Sequence, residues 1–251
     1  MTHAVLQRSL DTPLRREDLE TALLATRTLT RPDGVRLHRE LFGIVAGGLA
    51  HDEALALRAA LEARGFPCEV VAEERLPVLA EPMRGLILDF DAEAFVQTDM
   101  YGRQQRYELA DTVFLAGGFV KVWANRAEEK LASKMVPRGK LLTMELVSET
   151  KRTMVEAEEF RLELFIAREP WRWQWTVGEK TGLRVNGRLY QMRDRWPLRE
   201  VLQQLQALAP AERVNRGIAE AGVSAELVYP SVRAFEEEIV WRFYQLTRAT
   251  E

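Results

Sequence analysis

Between residues 160 and 177 apolar side chains recur at every second position, first Phe160, Leu162, Leu164 and Ile166, then Trp171, Trp173, Trp175 and Val177. Successive side chains of an extended strand point to opposite faces, so each row defines one apolar face. A helical period of 3.6 would scatter either row around its axis. The stretch therefore predicts two antiparallel strands reversing through residues 168–170, with their apolar faces turned to one core and Arg172, Gln174 and Thr176 on the other side. The first expectation is that the three indoles fill that core. The competing one is a stacking surface for a nucleobase, sugar or peptide, rimmed by Arg172.

The neighbouring sequence extends the β texture. Strands are predicted at 85–90, 94–99, 105–110 and 113–124, with a hairpin turn at 100–103, and further ones at 141–147, 153–157, 160–167, 171–177 and, more weakly, 189–192. Two helices close the chain, one over 198–208 after Trp196-Pro197 and one over 231–249, where Val232, Phe235, Ile239, Phe243 and Leu246 share a face.

Residues 1–78 read differently. A short strand is followed by a helix beginning near Leu14 with Glu17 and Asp18 in its first turns, and Thr30-Arg31-Pro32-Asp33 resets the chain into a second helix. The strand at 42–49, a helix from His51 that stops at Gly65, and a strand over 66–74 complete a βααβαβ order. Leu76-Pro77 and Glu81-Pro82 bracket an extended connector. The expected class is α+β: a small βααβαβ sandwich domain at 1–78, then a β-rich barrel or sandwich domain at 82–251 with C-terminal helices.

The pattern LxxxRxLTxxxxxxLxxxxxGIVAxGLxxxEALxLxxxLExxGxxxEVV resembles the C-terminal domain of the ribosomal stalk protein, a fold shared with the Clp protease adaptor. The match covers roughly 70 residues and rests on Leu29-Thr30, residues 43–49, Glu53-Ala54 and residues 65–71. The resemblance implies a fold and, by analogy, a protein-docking role. The stalk's factor-binding lysines have no counterpart in RPDGVRLHREL, so that contact is not carried over. GLILDFDAEAFVQTDMYGRQQRYELADTVFLAGG is similar in texture to pleckstrin-homology-like barrels, and the whole chain resembles a group of bacterial two-domain proteins with Trp-rich strands and a closing F-E-E-E-I-x-W helix.

Charge and cysteine content narrow the function. Lys plus Arg number 35 against 38 Asp plus Glu, a net of −3, which supplies no general field for nucleic acid or anionic lipid. Cys68 is the sole cysteine, so neither an intrachain disulfide nor a thiolate zinc cluster can form, in keeping with a reducing compartment. No apolar run reaches the roughly 18 residues of a spanning helix, and the amino terminus lacks the apolar core of a signal peptide. A cytoplasmic location is expected.

Candidate binding residues beyond Trp171, Arg172, Trp173 and Trp175 are Arg126, Lys130 and Lys134, which share a face if helical and otherwise belong to a solvated loop. Glu236, Glu237 and Glu238 are expected on an exposed helix face, since consecutive helical residues diverge. Cys68 is expected to be buried, and Gly47-Gly48 and Gly117-Gly118 to be turns or bulges without phosphate-loop spacing. No catalytic, metal or cofactor residue is assigned. The expected function is non-enzymatic recognition of another protein, as an adaptor. The alternative is a small-molecule or nucleic-acid sensor using the tryptophan strand.

Overall fold

A computed structural model of the chain describes residues 1–91, 93–138, 141–167, 171–176, 181–185, 187–190, 195–222 and 227–249, with the backbone alone at 31, 125–138, 141–152, 195–197 and 249. Two units are distinguished, Met1–Val120 with Glu159–Glu251, and Lys121–Glu158.

The first unit opens with β1 (His3–Gln7), α1 (Arg16–Leu23), α2 (Arg31–Arg39), β2 (Ile44–Leu49), α3 (His51–Glu62) and β3 (Cys68–Ala72), the βααβαβ order read from the sequence. A capping box starts α2: the Thr30 N–H and hydroxyl both donate to Asp33 Oδ2, at 2.8 and 2.6 Å, satisfying donors that the first helical turn leaves free. Gly65, at φ 83°, takes the left-handed conformation that ends the segment after α3. The strands form an antiparallel sheet in the order β2-β1-β3. On one face Val5, Val45, Leu49 and Cys68 join Leu19, Leu23, Ala54, Leu57 and Leu61 of the helices in one apolar cluster.

The chain continues through β4 (Met83–Arg84), β5 (Ile87–Phe90), β6 (Ala94–Thr98), β7 (Gln104–Glu108), β8 (Thr112–Arg138), β9 (Leu141–Ile166), β10 (Arg172–Thr176), β11 (Gly182–Val185), β12 (Arg188–Tyr190), α4 (Arg195–Leu208), α5 (Arg216–Ala219), β13 (Val228–Tyr229) and α6 (Val232–Ala249). These strands make two five-stranded sheets, β13-β8-β9-β10-β4 and β12-β11-β5-β6-β7. Both sheets contribute to one core, with Phe160, Leu162, Leu164, Ile166, Trp173 and Trp175 from the first and Leu88, Phe90, Phe95, Tyr107 and Leu183 from the second; α4 adds Leu198, Val201, Leu202 and Leu205. The molecule is therefore α+β, with helices after the strands.

Helix α6 uses two faces. Phe235 and Ile239 lie in a cluster with Phe114, Val120 and Phe165, joined at its margin by Val232, Phe243 and Leu246, as the sequence predicts. Trp241 and Tyr244, a second stripe that the sequence reading missed, cover Ala4, Leu6 and Val71 on the face of the first sheet opposite α1–α3. The Trp241 indole N–H donates to the Gln7 carbonyl at 2.7 Å, and a Cβ at Gly43 (φ 97°) would collide with its ring.

The second unit consists of the remaining part of β8 and the first part of β9, which are hydrogen-bonded neighbours. The three strands predicted at 141–147, 153–157 and 160–167 are one continuous strand. Within this unit Lys121 Nζ meets Glu156 Oε1 at 2.6 Å.

Candidate functional site

The tryptophan strand pairs antiparallel with β9 as expected, Trp173 opposite Leu164 and Trp175 opposite Leu162; the reversal at 168–170 and Val177 lie outside the described residues. Its three indoles part company, however. Trp173 and Trp175 are buried and their rings stack at 6.0 Å, whereas Trp171 precedes the strand and is 52% exposed. Burying one indole removes roughly 200 Å² from water, worth about 5 kcal/mol. Trp175 accordingly stays inside although its Nε1 has no partner among the described residues, a loss of about 1–3 kcal/mol. Trp173 Nε1 donates to the Tyr107 hydroxyl at 3.0 Å.

On the other face of β10, Arg172 is only 4% exposed, buried where the stacking-surface alternative needs a solvated rim. Its Nε and Nη2 form a fork on the fully buried Glu163 carboxylate at 2.8 and 3.0 Å, Nη2 also reaches Glu236 Oε1 of α6 at 2.6 Å, and Nη1 donates to the Ala80 carbonyl at 3.0 Å. Burial pulls this guanidinium toward neutrality, but the Glu163 and Glu236 carboxylates outweigh it and raise its pKa. Gln174 donates to Glu163 as well, at 2.8 Å, so every strong acceptor of that carboxylate is occupied.

A hollow of about 1050 Å³ opens beside this strand. Trp171, Met83, Met100 and Tyr101 stand exposed around it, Trp173 and Leu86 contribute apolar wall, and Arg172 borders it. Gly85, also on the wall, has no room for a side chain, since a Cβ there would run into the Trp175 ring. The β6–β7 turn that carries Met100 and Tyr101 is shaped by Asp99, whose carboxylate accepts from the backbone N–H groups of Tyr101 and Arg103 at 2.8 and 2.9 Å and from Arg103 Nε at 2.7 Å. Burial pushes Asp99 up, yet those hydrogen bonds prevail and hold its carboxyl below the ordinary value. Arg103 lies over the Tyr101 ring at 5.1 Å. No family model, no curated protein and no solved structure matches this chain.

The candidate residues thus separate. Trp171, Arg172 and Trp173 meet at the hollow, while Trp175 is consumed by the core. Arg126, Lys130 and Lys134 lie on β8, in neither a helix nor a loop, and their side chains fall outside the described residues. Gln97, Met100 and Tyr101 were not singled out from the sequence as binding residues; the visible signal was an apolar Met-Tyr pair at the tip of a turn, where polar residues usually stand. Among the described residues no group of three His, Cys, Asp or Glu side chains is arranged to hold a metal, and no helix is long and apolar enough to cross a membrane.

The remaining expectations resolve locally. Glu238 corrects the exposed-face reading of the glutamate run: it is fully buried, accepting from the Tyr229 hydroxyl and the Arg216 N–H at 2.6 and 2.8 Å. Glu236 turns to Arg172 and Glu237 to Arg233, so the three diverge as helical neighbours do. Gly117, read as part of a turn or bulge, lies inside β8, where the Asn215 side chain bonds both its N–H and its carbonyl and Leu202 leaves no space for a Cβ.

Proposed function

We propose that this chain is a non-enzymatic binding protein and that the hollow bordered by Trp171, Arg172 and Trp173 is its small-molecule site, the sensor alternative raised by the tryptophan strand. The observation that carries the reading is the standing exposure of Trp171, Met83, Met100 and Tyr101 around one concavity of about 1050 Å³, a size and lining in keeping with ligand sites. Three of the charged groups at its wall have structural partners: Arg172 is held by Glu163 and Glu236, and Asp99 is paired with Arg103. They therefore serve to shape the site, with proton transfer assigned to none of them. The adaptor reading draws on a separate feature, the position of β7 at one edge of its sheet, where an extended partner segment can add a strand. The lone buried thiol supports a reducing, cytoplasmic setting.

Naphthalene, an uncharged flat probe, tests the leading reading by ligand-observed NMR saturation transfer. Binding to the wild-type chain that weakens at least several-fold in Trp171→Ala is expected. Equal signals from the two proteins, or none from either, would dismiss the hollow as a ligand site.

A further inference from the structure

Gln97 is a polar side chain buried where no apolar gain offsets it. It lies on the same face of β6 as Phe95, the face turned to the shared core, is 2% exposed, and borders the hollow. Its Nε2 has no hydrogen-bond partner among the described residues. Trp175 Nε1 is unpartnered too, but there the buried indole compensates for the loss; the glutamine stem carries far less apolar surface, so an unbonded Nε2 at this position is a net cost that a leucine of similar volume would avoid.

The charges around the hollow also constrain its occupant. Arg103 is paired with Asp99 at 2.6 Å, Arg172 with Glu163 and Glu236, and the remaining rim charges are one of each sign, Arg84 and Glu81. A ligand with a net charge would meet only these two solvent-exposed side chains as counter-charge, and burying it would cost its hydration. Exposed and wall aromatics, Trp171, Tyr101 and Trp173, with the adaptable thioethers of Met83 and Met100, favour a flat apolar body.

We propose that the hollow takes a neutral, planar ring system carrying a carbonyl or ring-nitrogen acceptor on its edge, with that acceptor meeting the Gln97 amide, whose enclosed Nε2 reaches the hollow by a turn about the terminal torsion. This rests on the ligand-site reading above and adds the chemical class. A primary amide presents a donor and an acceptor side by side, so a lactam edge, which offers the reverse pair, is the best complement.

The test compares 2-quinolinone with naphthalene, two bicyclic rings of similar size that differ in the lactam, against the wild-type chain and Gln97→Leu, with thermal unfolding of the variant confirming that it folds. In the wild type 2-quinolinone is expected to bind at least tenfold more tightly than naphthalene, and in Gln97→Leu that advantage should fall to within about twofold while naphthalene binding persists. A lactam preference of the same size in both proteins, or none in the wild type, overturns the role of Gln97 and leaves the hollow standing as an apolar site. Failure of both probes to bind the wild type overturns the hollow itself.

Discussion

The hydroxyl of Tyr229 donates to Oε2 of Glu238 at 2.6 Å, and neither residue is exposed. The same hydroxyl accepts from Asn215 Nδ2 at 2.8 Å and from the Gly217 N–H at 3.1 Å, and Asn215 in turn spans the N–H and carbonyl of Gly117. One phenol thus joins β13, β8, α5 and α6. Burial and the Glu238 carboxylate together push the phenol well above its ordinary pKa, which keeps it a donor at neutral pH.

Tyr229→Phe removes that oxygen and strands a carboxylate oxygen, an amide and a backbone N–H together. The expected cost is about 3 kcal/mol of unfolding free energy, read from the denaturant midpoint. A loss below about 0.5 kcal/mol would mean that the network is idle.

Arg172→Lys keeps the charge and loses the fork on Glu163. A lysine ammonium cannot serve Glu163, Glu236 and the Ala80 carbonyl in the planar arrangement that the guanidinium provides. Destabilisation of about 2–3 kcal/mol is expected, approaching the cost of breaking a buried pair outright; equal denaturant midpoints for variant and wild type would refute it.

Gln97→Leu is expected to move stability the other way. Replacing a buried amide whose Nε2 is unbonded by an apolar group of similar volume should raise stability by about 1 kcal/mol and the thermal midpoint by about 2–4 °C. A lowered midpoint would show that the amide is bonded in solution.

Cys68 should resist thiol reagents in the native chain. Burial, reinforced by Glu62 and Glu69 and opposed by Arg8, pushes its pKa up to about 12 from an ordinary 9.0. Labelling at pH 8 should therefore require unfolding. The linked stability effect lies on the alkaline side: as pH rises above 9.0 the unfolded thiol ionises and the native one does not, so stability falls progressively toward pH 12, with no contribution from this group below 9.0. Native labelling as fast as that of the denatured chain would contradict this burial.

Much of the architecture was legible because its signals are local. Period-two rows mark β9 and β10, Thr30 and Asp33 cap α2, and Gly65 stands where a left-handed residue ends a segment. Trp171 and Arg172 were picked out as candidates, and neither reading held for both: the core reading places Trp171 inside, yet it stands exposed beside the hollow, and the stacking-surface alternative needs Arg172 at a solvated rim, yet it is buried. Alternation along a strand gives the face of a residue; it does not say where the strand begins, and Trp171 lies just before it.

Amino-acid order alone determined the α+β class, the βααβαβ start and the pairing of the tryptophan strand with its neighbour, since propensity, periodicity and caps act over a few residues. Only the tertiary structure decided that Trp241 and Tyr244 of α6 cover the first sheet, that Glu163, Arg172 and Glu236 form one buried group, and that Gln97 faces a hollow with its Nε2 unpartnered among the described residues. Those contacts join residues from far apart in the chain, and which polar group ends inside depends on the surfaces that happen to close over it.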